Sequence, residues 1–253
     1  MILLLDIGNT FTKLAVYDLL KNKIKKKINI KTIDLLNKNF LLNLLKKEKF
    51  KYSLCSSVVP KKYRKLKTFL SNKRVETYEI SQKIIKKNIK IKIKDKKQLG
   101  SDRISNSVAA KSLGYKNVVI VDFGTATTFD IINKSDYIGG IIFPGINLSI
   151  EALGKLTAKL PIIKLKKNKR VIGKNTFEAI NSGIYWGYIS MINGLLWKIN
   201  KVTNKKNKLI LTGGYSKFFK SKINTKSTLN PDITLLGLIT LIKRNKKIFN
   251  VNK

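Results

Sequence analysis

Two phrases in the chain join a carboxylate to a glycine and a run of hydroxyl or amide residues: Asp6-Ile7-Gly8-Asn9-Thr10 and Asp122-Phe123-Gly124-Thr125. Each closes a short apolar run, Met1 to Leu5 in the first and Val118 to Val121 in the second. A buried strand that delivers an Asp to its end, followed by a Gly that permits a tight turn and a close approach, is suited to phosphate or cation chemistry. Thr10 and Thr12 continue the first copy, and Thr127 and Thr128 the second, before apolar stretches resume at Leu14 to Tyr17 and Phe129 to Ile132. The pattern predicts two β-hairpins with polar, glycine-bearing tips. Facing each other across a cleft, such tips would offer backbone N–H groups, hydroxyls and two carboxylates to a metal-bound polyphosphate. Either copy alone also reads as an ordinary Gly/Asn/Asp turn, and it is the recurrence that favours chemistry.

The chain contains no histidine and one cysteine, Cys55. This removes a histidine base, Ser-His-Asp and Cys-His nucleophiles, zinc sites with the usual ligands and an intrachain disulfide. A carboxylate is therefore the natural proton acceptor. Cys55, within the apolar and small-residue run Leu54 to Val59, reads as a buried structural thiol.

The elements that must position these residues form two similar halves of a 253-residue chain, 1–117 and 118–253. In the first half, strands are expected at Ile2 to Leu5, Leu14 to Tyr17, Lys27 to Ile30, Tyr52 to Val59 and Val75 to Ile80. Helices are expected at Leu35 to Leu45, Lys61 to Leu70 and Ser101 to Ser112, the last with Asp102 in its first turn. The Ile/Lys alternation from Ile84 to Lys97 fits an edge strand or an ordered loop. In the second half, strands run through Phe143 and helices cover Asn147 to Ala152, Phe177 to Ile199 and Pro231 to Ile242, with a strand at Leu209 to Leu211. Thr176 is expected as the N-cap of the longest helix. Gly183, Gly187 and Gly194 inside that helix predict close packing on another backbone, within the fold or across a subunit interface. The result is a two-domain α/β fold with ligands beyond the carboxyl ends of the strands.

In order and spacing, several phrases resemble the type III pantothenate kinases. They are Asp6-Ile7-Gly8-Asn9-Thr10, Leu99-Gly100-Ser101-Asp102-Arg103, Val121 to Thr128, Gly139-Gly140, Pro144-Gly145, Leu156 to Pro161 and Gly173-Lys174-Asn175-Thr176. The resemblance spans nearly the whole chain. It implies the ribonuclease H-like fold of actin and sugar kinases with the active site in the cleft, a cytoplasmic homodimer, and ATP-dependent conversion of pantothenate to 4'-phosphopantothenate in coenzyme A synthesis. Carried over, Asp6, Ile7, Gly8, Asn9, Thr10, Phe11, Thr12 and Lys13 form the phosphate loop, and Thr125 contacts ATP. Gly100, Ser101, Asp102, Arg103 and Thr176 contact pantothenate, with Asp102 as proton acceptor. Asp122 holds a monovalent cation, K+ or NH4+, Asp6 helps to hold Mg2+ through water, and Thr212-Gly213-Gly214 passes close to the adenosine. The family's Tyr and Asn-Pro before the Gly100 phrase are replaced by Ile93-Lys94-Asp95-Lys96-Lys97-Gln98, which implies an altered pocket wall with Asp95 in the Asn position.

A small-polyol kinase of the same superfold is the competing enzyme reading, and a regulatory or nucleic-acid-binding homologue is the competing non-enzyme reading. The usual P-loop is absent. No apolar stretch approaches bilayer-spanning length, and the first residues read as a strand, so neither a membrane partner nor a signal peptide is expected. The net charge of +39 raises the nucleic-acid alternative. However, the lysines rise together with Asn and Ile along the chain, in clusters at Lys23 to Lys27, Lys86 to Lys97, Lys164 to Arg170 and Lys243 to Lys247, as an A/T-rich coding sequence would produce. Scattered lysines make only nonspecific phosphate contacts. Binding to duplex DNA should therefore be weak, indifferent to sequence and lost in moderate salt. A titration showing sequence-selective binding at physiological salt would overturn the compositional account.

Overall fold

In the computed structural model, which describes residues 1–85, 88–247 and 249, the chain divides into two compact units. Unit 1 takes in Met1–Tyr115, Ser135–Tyr137 and the described residues from Asp232 onward, and unit 2 takes in Lys116–Lys134 and Ile138–Pro231. The chain first passes from unit 1 to unit 2 between Tyr115 and Lys116. The terminal helix differs: the sequence split gives it to the second half, but its apolar face is buried in unit 1.

Unit 1 opens with β1 (Ile2–Ile7), β2 (Phe11–Asp18) and β3 (Lys23–Lys31). It continues through α1 (Lys38–Lys47), β4 (Tyr52–Ser57), α2 (Pro60–Ser71), β5 (Glu76–Glu79), the short α3 (Gln82–Ile85) and α4 (Ser101–Ser112). Its sheet runs β3-β2-β1-β4-β5, with β1 antiparallel to β2 and parallel to β4. Unit 2 contains β6 (Val118–Phe123), β7 (Ala126–Asn133), β8 (Asp136–Pro144, apart from its first two residues, which fall in unit 1), α5 (Ile146–Leu156), α6 (Thr176–Thr203), β9 (Lys208–Gly213), α7 (Ser216–Phe219) and β10 (Ser227–Leu229). Its order, β8-β7-β6-β9-β10, repeats the plan, with β6 antiparallel to β7 and parallel to β9. The two Asp-Gly phrases thus occupy the same position in two copies of one sheet. The terminal α8 (Ile233–Arg244) returns to unit 1.

Strand alternation sorts the side chains of β1 between two cores. Leu3, Leu5 and Ile7 pack with Leu14, Val16, Cys55, Tyr63, Leu66 and Leu70, while Ile2 and Leu4 pack with Leu54, Val108, Leu238 and Leu241. Cys55 is fully buried and its thiol is pushed up to about 12 by that burial, which makes it structural and inert. In unit 2, Val119, Val121 and Phe123 join Phe129, Leu209, Leu211 and the apolar face of α6.

Several local expectations change. The Leu35 to Leu45 stretch is a 3-10 turn, Thr32–Leu36, followed by α1, whose start is capped by the Asn37 side chain accepting from the Phe40 N–H. Of the two readings of the Ile84 to Lys97 run, the edge strand does not form among its described residues: Ile84, Ile85, Ile89 and Ile91 are buried in the unit 1 core, and a bridge joins Ile91 to Tyr137. Lys86 and Lys87 of that run lie outside the described residues. Asp95 accepts from the Lys97 N–H and so caps the short turn Lys96–Gln98. Of the two expectations for the glycines of α6, packing within the fold does not hold, since a Cβ at Gly183, Gly187 or Gly194 would meet nothing within 4 Å. Close packing within the chain therefore does not explain them.

α4 and α8 do pack at close range. A Cβ on Gly237 would collide with the Ser105 carbonyl oxygen, Ser105 Oγ donates to the Thr234 carbonyl at 2.8 Å, and Thr234 Oγ1 donates to Asn106 Oδ1 at 2.8 Å. Gly237→Ala should therefore destabilise the protein by about 1–3 kcal/mol through overpacking, despite the better helix propensity of Ala. Urea unfolding measures this, and a stabilised variant would refute the close contact.

Candidate active site

At the carboxyl end of β1, Asp6 follows Ile2 and Leu4 onto the sheet face covered by α4 and α8. Its register neighbours are Lys13 on β2 and Ser56 on β4, so a carboxylate, an ammonium and a hydroxyl lie side by side on that face. The loop beyond is short. The Gly8 N–H donates to the Phe11 carbonyl at 3.0 Å, and a Cβ on Gly8 would lie 2.9 Å from that same oxygen. Thr32 anchors the loop from outside, its Oγ1 donating to the Gly8 carbonyl at 2.7 Å and its N–H to the Thr10 carbonyl at 2.9 Å. Asn9, Thr10 and Phe11 are exposed at the tip, whereas Ile7 and Thr12 are fully buried. The Thr12 hydroxyl bonds Thr32 Oγ1 at 2.9 Å, so its contribution is to the loop's shape.

α4 starts on the same face of the unit 1 sheet. Gly100 precedes it, and a Cβ there would lie 2.6 Å from Asp102 Oδ1, so the carboxylate folds back over the glycine. The Arg103 N–H donates to Asp102 Oδ1 at 2.8 Å. Burial pushes the Asp102 carboxyl above its ordinary value, against the opposing pull of the Arg103 amide and guanidinium. A carboxylate raised in this way is better matched to accepting a proton near neutral pH.

In unit 2, Asp122 lies on the face opposite Val119, Val121 and Phe123, with Thr128 and Thr212 as its register neighbours. Gly213, at φ +83°, closes over it, and a Cβ there would lie 2.6 Å from Asp122 Oδ1. Carboxylate and hydroxyl oxygens side by side form a hard donor set that fits K+ or Mg2+ and not zinc. Among the described residues there is no cluster of three or more His, Cys, Asp or Glu side chains able to hold a metal ion. The Thr125 carbonyl accepts from the Gly145 N–H at 3.0 Å, and a Cβ on Gly145 would collide with that carbonyl, so the Pro144-Gly145 phrase supports the second Asp-Gly turn from beneath.

Thr176 is exposed as the first residue of α6 and is not its N-cap. Asn175 is the cap: its side chain accepts from the Glu178 N–H at 2.9 Å, and Glu178 Oε2 accepts from the Lys174 N–H at 2.9 Å. The Asn-x-x-Glu spacing carried that signal in the sequence. Thr176 lines an open cavity of about 620 Å³ with Leu153, Leu160, Lys174, Ile180 and Gly183.

A sequence model of the type III pantothenate kinases matches residues 2–198. The chain belongs to the type III pantothenate kinase family. A type III pantothenate kinase of Pelagibacter ubique is 43% identical over 251 residues, covering 96% of this chain and 100% of the relative. One from Sulfurihydrogenibium is 38% identical over the same length, with 96% and 100% covered. Among solved structures, a protein of Campylobacter jejuni assigned to the Baf family of transcriptional activators superposes with a TM-score of 0.63 at 22% identity, covering 97% of this chain and 99% of that one. A protein of Sinorhizobium meliloti described as a 2-dehydro-3-deoxygalactonokinase gives 0.61 at 8% identity, with 97% of each chain covered. These structural likenesses establish the fold shared with sugar kinases. No described helix of this family member is long and apolar enough to cross a membrane.

Within unit 1, Asp6, Lys13 and the Gly100 to Arg103 segment come to one sheet face, and within unit 2, Asp122 and Thr125 share one turn. Sequence reasoning missed Thr32, Ser57 and Asn175. For Thr32 and Ser57 no sequence signal exists, because each acts on a segment distant in the chain. A folded-state value above the unfolded one means that Asp102 favours folding only while protonated, and that contribution is lost as pH rises through the raised value. Asp102→Asn should accordingly have a higher melting temperature than the wild type at neutral pH, with the difference vanishing in acid. An equal or larger deficit at neutral pH would show that the carboxylate is stabilising.

Proposed function

We propose that this protein transfers the γ-phosphoryl group of ATP to the primary hydroxyl of pantothenate, the entry step of coenzyme A synthesis, in the cytoplasm. The observation that carries the reading is the partly buried Asp102, raised in proton affinity at the start of α4, inside the Gly-Ser-Asp-Arg phrase of a chain that matches this family along its length. Phosphoryl transfer depends mostly on positioning and charge neutralisation, with a carboxylate taking the hydroxyl proton late. Asp102 is the proton acceptor, and Gly100, Arg103 and Thr176 bind pantothenate. The loop from Asp6 to Lys13, with Thr125, binds ATP, its backbone N–H groups and the Lys13 ammonium meeting the phosphates.

Asp6 would hold Mg2+ through water, and Asp122 with its flanking threonines would hold K+ or NH4+. Such cations supply charge neutralisation beside the polyphosphate. A homodimer is part of the same reading. The exposed face of α6 presents Gly183, Gly187, Ser190, Gly194 and Trp197 at alternating spacings of four and three, the seam that a two-fold partner helix would fill.

A coupled assay of ADP release, run with and without pantothenate and K+, tests the reading. Release should require pantothenate and fall when K+ is replaced by a bulky organic cation. Asp102→Asn should lower kcat by about a hundredfold or more while ATP binding stays near wild type, as expected for loss of a general base. Pantothenate-independent turnover, or near wild-type turnover by the variant, would refute it.

A further inference from the structure

Ser101 stands between Gly100 and Asp102, in the segment read as the pantothenate contact, yet its hydroxyl is fully engaged within the protein. Its Oγ accepts from the Ser57 N–H at 2.7 Å and donates to the Ser57 carbonyl at 3.0 Å. A third contact, to Ser56 Oγ, is 3.2 Å long. With the Ser101 proton committed to the Ser57 carbonyl, Ser56 must be the donor in that contact. A serine hydroxyl has one proton and two lone pairs. All three are used, and nothing remains for a substrate.

The partner peptide matters as much as the count. Ser57 ends β4, and the next N–H, that of Val58, donates to the Ile7 carbonyl at 3.1 Å, at the end of β1 just past Asp6. The Ser57 Oγ accepts from the Val59 N–H at 3.1 Å and so fixes the turn into α2. One peptide therefore ties the start of the Gly8 loop to the first residue of α4. Gly100 continues the tie, since its Cβ position lies 3.7 Å from Val58 Cγ1 and 2.6 Å from Asp102 Oδ1.

We infer that Ser101 is a positioning residue: through the Ser57 peptide it sets Asp102 relative to the Asp6–Lys13 loop, and its hydroxyl does not bind pantothenate. The inference rests on the proposed kinase reading for its kinetic consequence but not for its geometry. A residue that only orients the base changes transition-state stabilisation, whereas a substrate contact changes ground-state binding too.

The test is Ser101→Ala, with Ser101→Thr as the hydroxyl-retaining control and Ser56→Ala as a milder lesion that removes one of the three contacts. Two quantities are read: steady-state kinetics, and hydrogen exchange at the Ser57 amide by NMR. In Ser101→Ala, kcat should fall by roughly tenfold or more while KM for pantothenate stays within about twofold. Exchange at Ser57 should accelerate relative to the β1 amides. Ser101→Thr should restore both, and Ser56→Ala should shift both in the same direction by less. If Ser101→Ala does not fold, the Ser56→Ala and Ser101→Thr pair decides. A rise in KM at unchanged kcat, or unaltered Ser57 exchange, would overturn the inference. Wild-type protein that fails to phosphorylate pantothenate would sink the kinase reading alone, because the exchange measurement stands without it.

Discussion

Along β1 and β6 apolar side chains line both faces, and the one acidic residue of each strand sits where that cover ends. Asp6 and Asp122 are the penultimate residues of β1 and β6, each after a run of apolar side chains that alternate between the two sides of a sheet. The alternation also fixes direction. Because Leu3, Leu5 and Ile7 take one side, Asp6 is turned to the side of α4, where Asp102 starts. In unit 2, Val119, Val121 and Phe123 take one side, and Asp122 is turned toward the face it shares with Thr128 and Thr212. A one-residue slip of either strand would bury the carboxylate in a hydrocarbon core.

The glycines of the site separate into those that admit backbone and those that leave a surface open. Gly145 and Gly213 lie against the Asp122 turn so closely that a methyl group would displace it, and Gly8 and Gly100 do the same beside Asp6 and Asp102. A Cβ on Gly183, Gly187 or Gly194 would meet nothing within 4 Å beyond its own stretch of helix. These glycines lower the propensity of a long helix without any packing return inside the unit. In the proposed dimer that return comes from a second copy, where close approach of two backbones offsets the loss.

The charge of the chain has little to do with this arrangement. Lysines crowd the solvated edge strand β3, where Lys23, Lys25, Lys26, Lys27 and Lys31 are at least partly exposed, and such an edge resists pairing with another sheet. Two of them find carboxylates: Lys25 lies 3.7 Å from Glu48, and Lys27 lies 2.6 Å from Asp232. Exposed pairs of this kind contribute little to stability. They are nonetheless compatible with a core whose strands β1 and β6 carry no basic residue.

The sequence by itself determined the duplicated Asp-Gly hairpins, most element positions, the exclusion of histidine and disulfide chemistry, and the residues that resemble those of a known kinase family. These are local properties: periodicity, turn chemistry and residue type act over a few positions, so a linear reading can see them. Tertiary structure alone decided that the terminal helix joins the first unit, because its apolar face is complemented by α4 and β1, more than 120 residues earlier. It decided that the Ile84 to Lys97 run contributes isoleucines to a core, since alternation does not say whether a face will find a partner. It replaced Thr176 by Asn175 as the cap of α6, and it committed the hydroxyls of Thr12, Thr32 and Ser101 to the protein itself. A hydroxyl's partners are chosen by whatever the fold brings within hydrogen-bond distance, and that choice has no signature in the order of the residues.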